Sequence, residues 1–336
     1  MEIFSMEIKE ILSQHGYDSV EPLGNGAYAS VFLCHSKKYN DSFSIKRVAK
    51  NTINELEYNA LISLNHPNII KLYEAFEHGE FQYLVMEYCP NGNLKEKGKL
   101  DKDTFISYSK QILQALNICH SKMIAHRDIK PENIFIGKYN KVKLADFGFA
   151  QKFNSIQSSS DKCGSLMYAA PELFKSPYVN PFQTDIWSLG ATFFYMITGQ
   201  FPYIRPTLDE LKEAVIKGQI DYSLIGNDFR IRSLITKMTS FVPENRPTAE
   251  SLLQLSMYNV PKSINIPKAI SLYSLKNSGS NSRVVTQSPT FSSKYTRDKS
   301  EPNTSDDLDN LANSIKKIRA YKSVIRIPQV AKNRPI

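Results

Sequence analysis

The chain has few cysteines. Cys34, Cys89, Cys119 and Cys163 are the only four in 336 residues, and no two form a close C-x-x-C pair. That spacing excludes a disulfide framework and a cysteine-based zinc site, and it reads as free thiols of a reducing compartment. No run is long and apolar enough to cross a bilayer. Met1 to Tyr17 carries acids and lacks a basic stretch followed by an apolar one, so no secretory leader is expected. These absences predict a cytoplasmic protein, with the nucleus as the alternative. There are no internal repeats, and the lone tryptophan, Trp187, reads as a packing residue. Most of the chain also lacks charge of one sign. The net +9 falls entirely in residues 259–336, where 14 Lys/Arg face 5 Asp/Glu, while residues 1–258 balance at 28 of each. With a neutral body, and no aromatic platform or reader motif beside the basic tail, nucleic acid is not an expected partner.

What is present is enough for a core: 41% of the residues are hydrophobic. The length suits one large domain with an appendage, or two ordinary ones. Between Tyr17 and Arg47 short β-prone runs stand out, Val31 to Cys34 and Phe43 to Lys46. Asn54 to Asn65 spaces Leu56, Ala60, Leu61 and Leu64 as a helix does. Leu72 to Phe76 and Phe81 to Met86 read as strands. From Lys102 onward the pattern turns helical, with Phe105, Tyr108, Ile112, Leu113, Leu116 and Cys119 on one face. Further helices are expected over 183–198, 208–217 and 229–238. The order is a strand-rich first part, a hinge near Glu87 to Gly92, and a helical second part. It predicts an α+β fold of two lobes with a cleft between them.

The chemistry concentrates in His126-Arg127-Asp128-Ile129-Lys130-Pro131-Glu132-Asn133, with Asp146-Phe147-Gly148 starting thirteen residues beyond Asn133. The segment supplies a carboxylate to orient a hydroxyl (Asp128) and a cation to meet phosphate (Lys130). It also supplies an amide oxygen and a second carboxylate fit for magnesium (Asn133 and Asp146). Upstream, Gly24-Asn25-Gly26-Ala27-Tyr28-Ala29 precedes Val31. Glycines there let backbone amides approach phosphate oxygens, although a Gly-x-Gly turn alone is as readily a hairpin. The loop gains meaning from Lys46, one strand later, which would reach nucleotide phosphates while held by a helix glutamate. Glu57 is the assigned partner, with Glu55 as competitor. Leu61 and Leu64 share the face of Glu57 at i+4 and i+7, whereas Glu55 points nearly opposite. Only eleven residues separate Lys46 from Glu57, so the short connection should restrict outward swing of the helix. Arg127 is expected to pair with an acid further along, and His126 to pack in the core. Glu172, in Ala170-Pro171-Glu172, has a distant candidate partner in Arg246. Asp185, in Asp185-Ile186-Trp187-Ser188-Leu189-Gly190, is a candidate to fix the backbone of the loop from His126 to Asn133.

Taken together, residues 17–258 resemble a complete eukaryotic protein kinase domain, with a first lobe over about 17–88 and a second over about 92–258. Lys130 after Asp128 is the serine/threonine form of the loop. Finer strings resemble the ULK family of autophagy-initiating kinases: Gly26 to Phe32 with Ala29 at the third glycine position, Tyr83 to Cys89, Asp146 to Ala150, and Cys163 to Tyr168. The calmodulin-dependent and AMP-activated-like kinases are the runner-up group. The resemblance implies ATP and Mg²⁺ as cofactors, transfer of the γ-phosphate to Ser/Thr hydroxyls of protein substrates, and a monomer. It further implies Met86 as gatekeeper, the backbone of Glu87 and Cys89 meeting adenine, and Leu23, Val31 and Phe135 sandwiching the base. Departures from the family pattern are Ser44 for the usual alanine, Phe135 for leucine, and Asn93 for the acid that meets ribose. A scaffold that has lost catalysis would ordinarily lack Lys46, Asp128 or Asp146. All three are present, and a pseudokinase-like binding module is kept as the alternative.

The family places an activating phosphothreonine two residues before Cys163, where this chain has Asp161. A fixed carboxylate there implies partial constitutive activity, with Ser158, Ser159 and Ser160 as added phosphosites. Residues 259–336 are rich in Ser, Asn, Thr and Lys and are expected to be mostly disordered. Within them, 305–327 reads as a basic amphipathic helix: Ser305 caps it, and Leu308, Leu311, Ile315, Ile318 and Ile325 form its apolar stripe. Such a helix suits docking to the kinase lobe, to calmodulin or to an anionic membrane.

Overall fold

A computed structural model describes residues 2–25, 29–50, 55–153, 158–159, 165–205 and 207–259. The expected amphipathic segment 305–327, Gly26, Ala27, Ser160, Asp161 and Cys163 lie outside the described residues.

The first lobe opens with helix α1 (Glu2–Gln14), followed by strands β1 (Asp18–Asn25), β2 (Ala29–Ser36) and β3 (Asp41–Ala49). Helix α2 (Glu55–Ser63) and strands β4 (Leu72–His78) and β5 (Phe81–Glu87) complete it. The five strands form one antiparallel sheet in the order β1-β2-β3-β5-β4. Alternation along β3 divides the sheet faces: Phe43 and Ile45 are buried, while Ser44 and Lys46 point to the other side. The expected strands and the helix carrying Glu57 are all present, with ends within three residues of those expected.

Helix α1 was not read from the sequence, which placed the start of the fold at residue 17. Ile8, Ile11 and Leu12 sit at i, i+3 and i+4 and bury against Phe32, Cys34, Phe43, Ile45, Tyr83 and Val85 on the outer face of the sheet. His15 stacks on Phe76 at 3.6 Å, and the Tyr17 hydroxyl donates to Glu74 Oε2 at 2.8 Å. An antiparallel sheet whose Phe43 and Tyr83 face outward needs such a cover, because one face already lines the cleft.

The second lobe contains α3 (Leu94–Lys97), α4 (Lys102–Ser121), β6 (Ile124–Ala125), β7 (Ile134–Ile136), β8 (Val142–Leu144), β9 (Gln151–Lys152), β10 (Ser158–Ser159) and β11 (Tyr178–Val179). Helices α5 (Pro181–Thr198), α6 (Leu208–Lys217), α7 (Phe229–Met238) and α8 (Ala249–Leu253) follow. The whole expected apolar face of α4 is buried, and Asp101 caps the helix by accepting from Thr104 N at 2.9 Å. Helix α5 starts two residues earlier than its apolar pattern suggested. Asn180 caps it and Pro181 takes the first helical position, where a missing N–H costs nothing. Gly199, at φ +74°, then ends it in the left-handed conformation. The α+β, two-lobed expectation is borne out.

Leu61, Leu64, Ile69 and Ile70 belong to the same core as Phe105, Leu144, Phe147 and Trp187, not to the α1-covered core of the first lobe. The helix that carries Glu57 is thus anchored toward the second lobe. The loop after it is stitched to β8: Ile70 N donates to Leu144 O at 2.9 Å and Leu144 N to Asn68 O at 2.8 Å. At the connection between lobes, Ile136 N donates to Gly92 O at 2.8 Å, and Lys143 pairs with Glu87 at 2.7 Å.

Candidate active site

Three charged side chains converge from β3, α2 and the segment after β8. Lys46 on β3 lies 2.7 Å from Glu57 on α2 and 3.3 Å from Asp146, just beyond β8. The Lys46 and Glu57 side chains are only 13% and 12% exposed, so the pair is well shielded from solvent. Burial works against the Asp146 charge, but Lys46, Lys130 and His126 outweigh it and hold its pKa below the usual carboxylate range. Phe147, next along, is fully buried against His126 with ring centroids 4.7 Å apart. That contact turns Asp146 toward Lys46.

The loop from His126 to Asn133 is held from below by Asp185 on α5, which is 1% exposed. Its carboxylate accepts from the backbone N–H of His126 and of Arg127, each at 2.8 Å, and lies 3.0 Å from His120 Nε2. These bonds hold Arg127 at φ +67°, and Asp146 stands at φ +60°. Both are left-handed conformations costing a non-glycine residue of order 1–3 kcal/mol, and such strain clusters at functional sites. Asp128 N donates to His126 Nδ1 at 3.3 Å, so that nitrogen is the acceptor and Nε2–H donates to Ala145 O at 3.0 Å. One imidazole therefore ties the Asp128 loop to the residue before Asp146.

Asp128 is 4% exposed, and three donors reach its carboxylate. Ser165 N meets Oδ1 at 3.1 Å, Asn133 Nδ2 meets Oδ2 at 3.0 Å, and Lys130 Nζ also pairs with Oδ2. A carboxylate offers about four lone-pair positions, so one remains for an incoming hydroxyl. Burial lowers the Lys130 pKa but Asp128, Asp146 and Glu132 raise it more, and the net shift is upward. Lys130 therefore stays cationic, and its Nζ also reaches Ser165 Oγ at 3.2 Å. Ser165 was the participant that the sequence reading missed. Its only signal was its place in the Cys163-Gly164-Ser165 string.

Asn133 commits its amide nitrogen to Asp128, which turns its oxygen the other way, and its backbone carbonyl accepts from Ala145 N at 2.9 Å. Asn133 and Asp146 are thereby neighbours, presenting an amide oxygen and a carboxylate. Two hard oxygen donors suit magnesium, which takes one or two protein ligands and fills its shell with water and phosphate. The pair fits the ion without a larger cage, and among the described residues no group of three or more His, Cys, Asp or Glu could hold a metal.

The expected adenine-pocket residues differ in how far their groups are already engaged. Leu23 and Gly24 lie half-buried on β1, where Gly24 pairs with Val31, and Val31 pairs with Lys46 across β2–β3. The Asn25 backbone ends β1, and Gly26 and Ala27 are not described. Met86 on β5 pairs with Ser44 and, with Cys89 and Phe135, packs half-buried on the main core. Glu87 N–H is spent on Lys71 O at 2.9 Å, whereas its carbonyl accepts from Ser44 Oγ at 3.1 Å and keeps one lone pair. Burial, then Glu87, pushes the Cys89 thiol up to about 12. Asn93 is taken by capping: it accepts from Glu96 N at 3.1 Å and donates to Glu96 Oε1 at 3.0 Å. Arg127 Nη1 donates to Gln151 Oε1 at 2.6 Å, a contact not foreseen, while Asp161 lies outside the described residues. Glu172 and Arg246 do meet, as a two-pronged pair at 2.6 and 2.8 Å.

Residues 17–257 match the family model described as the protein kinase domain. Serine/threonine-protein kinase SIK2 of Gallus gallus is 32% identical over 276 residues, 79% of this chain and 34% of that protein. The probable serine/threonine-protein kinase MARK-A of Dictyostelium discoideum is 32% identical over 250 residues, 70% of this chain and 23% of its own length. Serine/threonine-protein kinase SIK1 of Mus musculus is 32% identical over 249 residues, 71% of this chain and 32% of its own. The match thus spans about a third or less of these curated relatives.

Proposed function

The chain belongs to the protein kinase family, and on that premise we propose that it is an active serine/threonine protein kinase that transfers the γ-phosphate of ATP to hydroxyls of protein substrates. The observation that carries the reading is the joint placement of Lys46, Glu57 and Asp146 with a hydrogen-bonded Asp128–Lys130–Asn133 cluster. Asp128 uses its remaining lone pair to orient the acceptor hydroxyl and take its proton. Lys130 holds its cation where negative charge grows on the transferred group, and Lys46, braced by Glu57, holds the nucleotide phosphates in line. Magnesium, when bound at Asn133 and Asp146, supplies further neutralisation of phosphate charge. Lys130 following Asp128, together with three relatives named as serine/threonine kinases, supports Ser/Thr over tyrosine acceptors.

Within the family the similar proteins favour the AMP-activated-like group, the runner-up of the sequence reading, over a ULK-like role in autophagy. The free thiols of Cys34, Cys89 and Cys119 suit the cytoplasm. The basic segment 305–327 is assigned a docking role toward the kinase lobe, calmodulin or an anionic membrane. Labelled γ-phosphate transfer to a mixed protein substrate, followed by phosphoamino-acid analysis, tests the activity. Phosphoserine and phosphothreonine are expected. ATP binding with no transfer would identify a pseudokinase scaffold instead.

A further inference from the structure

On the cleft face of the first-lobe sheet, one hydroxyl stands in an apolar row. Ser44 on β3 pairs with Leu33 on β2 and with Met86 on β5, and all three are half-buried. Phe43 and Ile45, on either side of it, turn into the α1-covered core, so Ser44 shares its face with Lys46. At about 3.3 Å per residue the two lie about 7 Å apart along β3, with Ser44 nearer the connection between lobes. Ser44 Oγ donates to Glu87 O at 3.1 Å, and no donor among the described residues reaches Ser44 Oγ in return.

These two neighbouring oxygens differ in what they can recognise. Glu87 N–H is spent on Lys71 O at 2.9 Å, so its backbone offers the cleft a carbonyl oxygen, which can only accept. A carbonyl suits the amino group of a 6-amino purine and repels the carbonyl of a 6-oxo purine. A hydroxyl has no such preference, because its proton rotates: it accepts from an amino group or donates to a carbonyl. A nucleotide with its phosphates at Lys46 extends its base along β3 toward this pair.

We propose that Ser44 relaxes the choice of purine base. Its hydroxyl accepts from the amino group of a 6-amino purine nucleotide and turns to donate to the oxygen of a 6-oxo one, so the cleft takes both. An alanine at this position would leave the Glu87 carbonyl to discriminate alone. It would also give back to that carbonyl the lone pair that Ser44 now uses. Both changes move selectivity toward the 6-amino base. The inference rests on the phosphotransfer reading above, which places the phosphates at Lys46.

The full-length protein is titrated with ADP and with inosine diphosphate, each with magnesium, by calorimetry. The quantity read is the ratio of the inosine to the adenosine Kd, for wild type, Ser44→Ala and Ser44→Cys. Ser44→Ala is expected to raise this ratio about fivefold, the size of one neutral hydrogen bond, mainly by weakening inosine diphosphate. Ser44→Cys, which keeps the size but donates poorly, should raise it similarly. Each ratio is taken within one preparation, so partial loss of folded protein cancels. An unchanged ratio in Ser44→Ala, with both nucleotides bound, overturns the role of Ser44 and leaves the kinase reading standing. A wild-type ratio in Ser44→Cys would assign the effect to volume and overturn the role of the hydroxyl. Wild type that binds neither nucleotide overturns both readings.

Discussion

Replacing Arg246 by methionine removes a guanidinium whose side chain is completely buried. It donates to Glu172 Oε1 at 2.6 Å and Oε2 at 2.8 Å, to Ser240 O at 2.8 Å and to Gln183 O at 2.9 Å. Its guanidinium carbon lies 4.8 Å from the Trp187 ring. Methionine keeps much of the volume, so packing on Trp187 is a minor loss. The larger loss is electrostatic, because the Glu172 carboxylate, 12% exposed, keeps its charge without its cation, and two carbonyls lose their donor. Breaking one member of a buried pair costs about 3–5 kcal/mol. At roughly 2–4 °C per kcal/mol for a domain of this size, the apparent melting temperature should fall by about 6–20 °C. The assay is calorimetry at one fixed scan rate, comparing wild type, Arg246→Met, Glu172→Met and the double variant. The double variant should recover part of the loss, since removing both charges leaves neither one stranded. If Arg246→Met melts within about 2 °C of wild type, or if the two single losses simply add, the pair is not the anchor described here.

Two further outcomes follow from burial. Leu12→Ala, at a fully buried position of α1, should cost about 2–5 kcal/mol in denaturant melts, whereas Met6→Ala, at a position 71% exposed, should cost nearly nothing. Equal effects at the two positions would mean that α1 does not cover the sheet. Burial pushes the Cys34 and Cys89 thiols up to about 12. The thiolate is the reactive form, so at pH 8 only about one in 10⁴ is ionised, and iodoacetamide should label these cysteines only in denaturant. Rapid labelling of either in the native protein would contradict the burial.

The chemistry was more legible in the sequence than the scaffold around it. Asp128, Lys130, Asn133 and Asp146 are visible because a short loop must carry several functional groups at fixed offsets, and side-chain identity is then the signal. Glu57 could be chosen over Glu55 because helical geometry puts it on the face of Leu61 and Leu64, both of which prove buried. Contacts made through backbone atoms leave no such trace. Ser165 reaches Asp128 through its N–H, which any residue but proline could supply. Helix α1 leaves little trace because Ile8, Ile11 and Leu12, the residues that bury, mark barely more than one turn of apolar spacing. Gln151, which meets Arg127, and Lys95, which faces Glu132, are paired by tertiary folding across 24 and 37 residues and have no local pattern. Asn93 shows the converse: it stands where the family pattern has the acid that meets ribose, and it is used up locally as a helix cap.

The most direct test of the account is the transfer of labelled γ-phosphate from ATP with magnesium to a protein substrate by wild type, Lys46→Met, Asp128→Asn and Asp146→Asn. All four should be matched for melting temperature and circular dichroism. The account predicts Ser/Thr phosphorylation by the wild type and a fall of about a hundredfold or more in each variant, because each removes a group that positions the reacting atoms or neutralises charge on them. Transfer at the wild-type rate by folded Asp146→Asn or Asp128→Asn would contradict it.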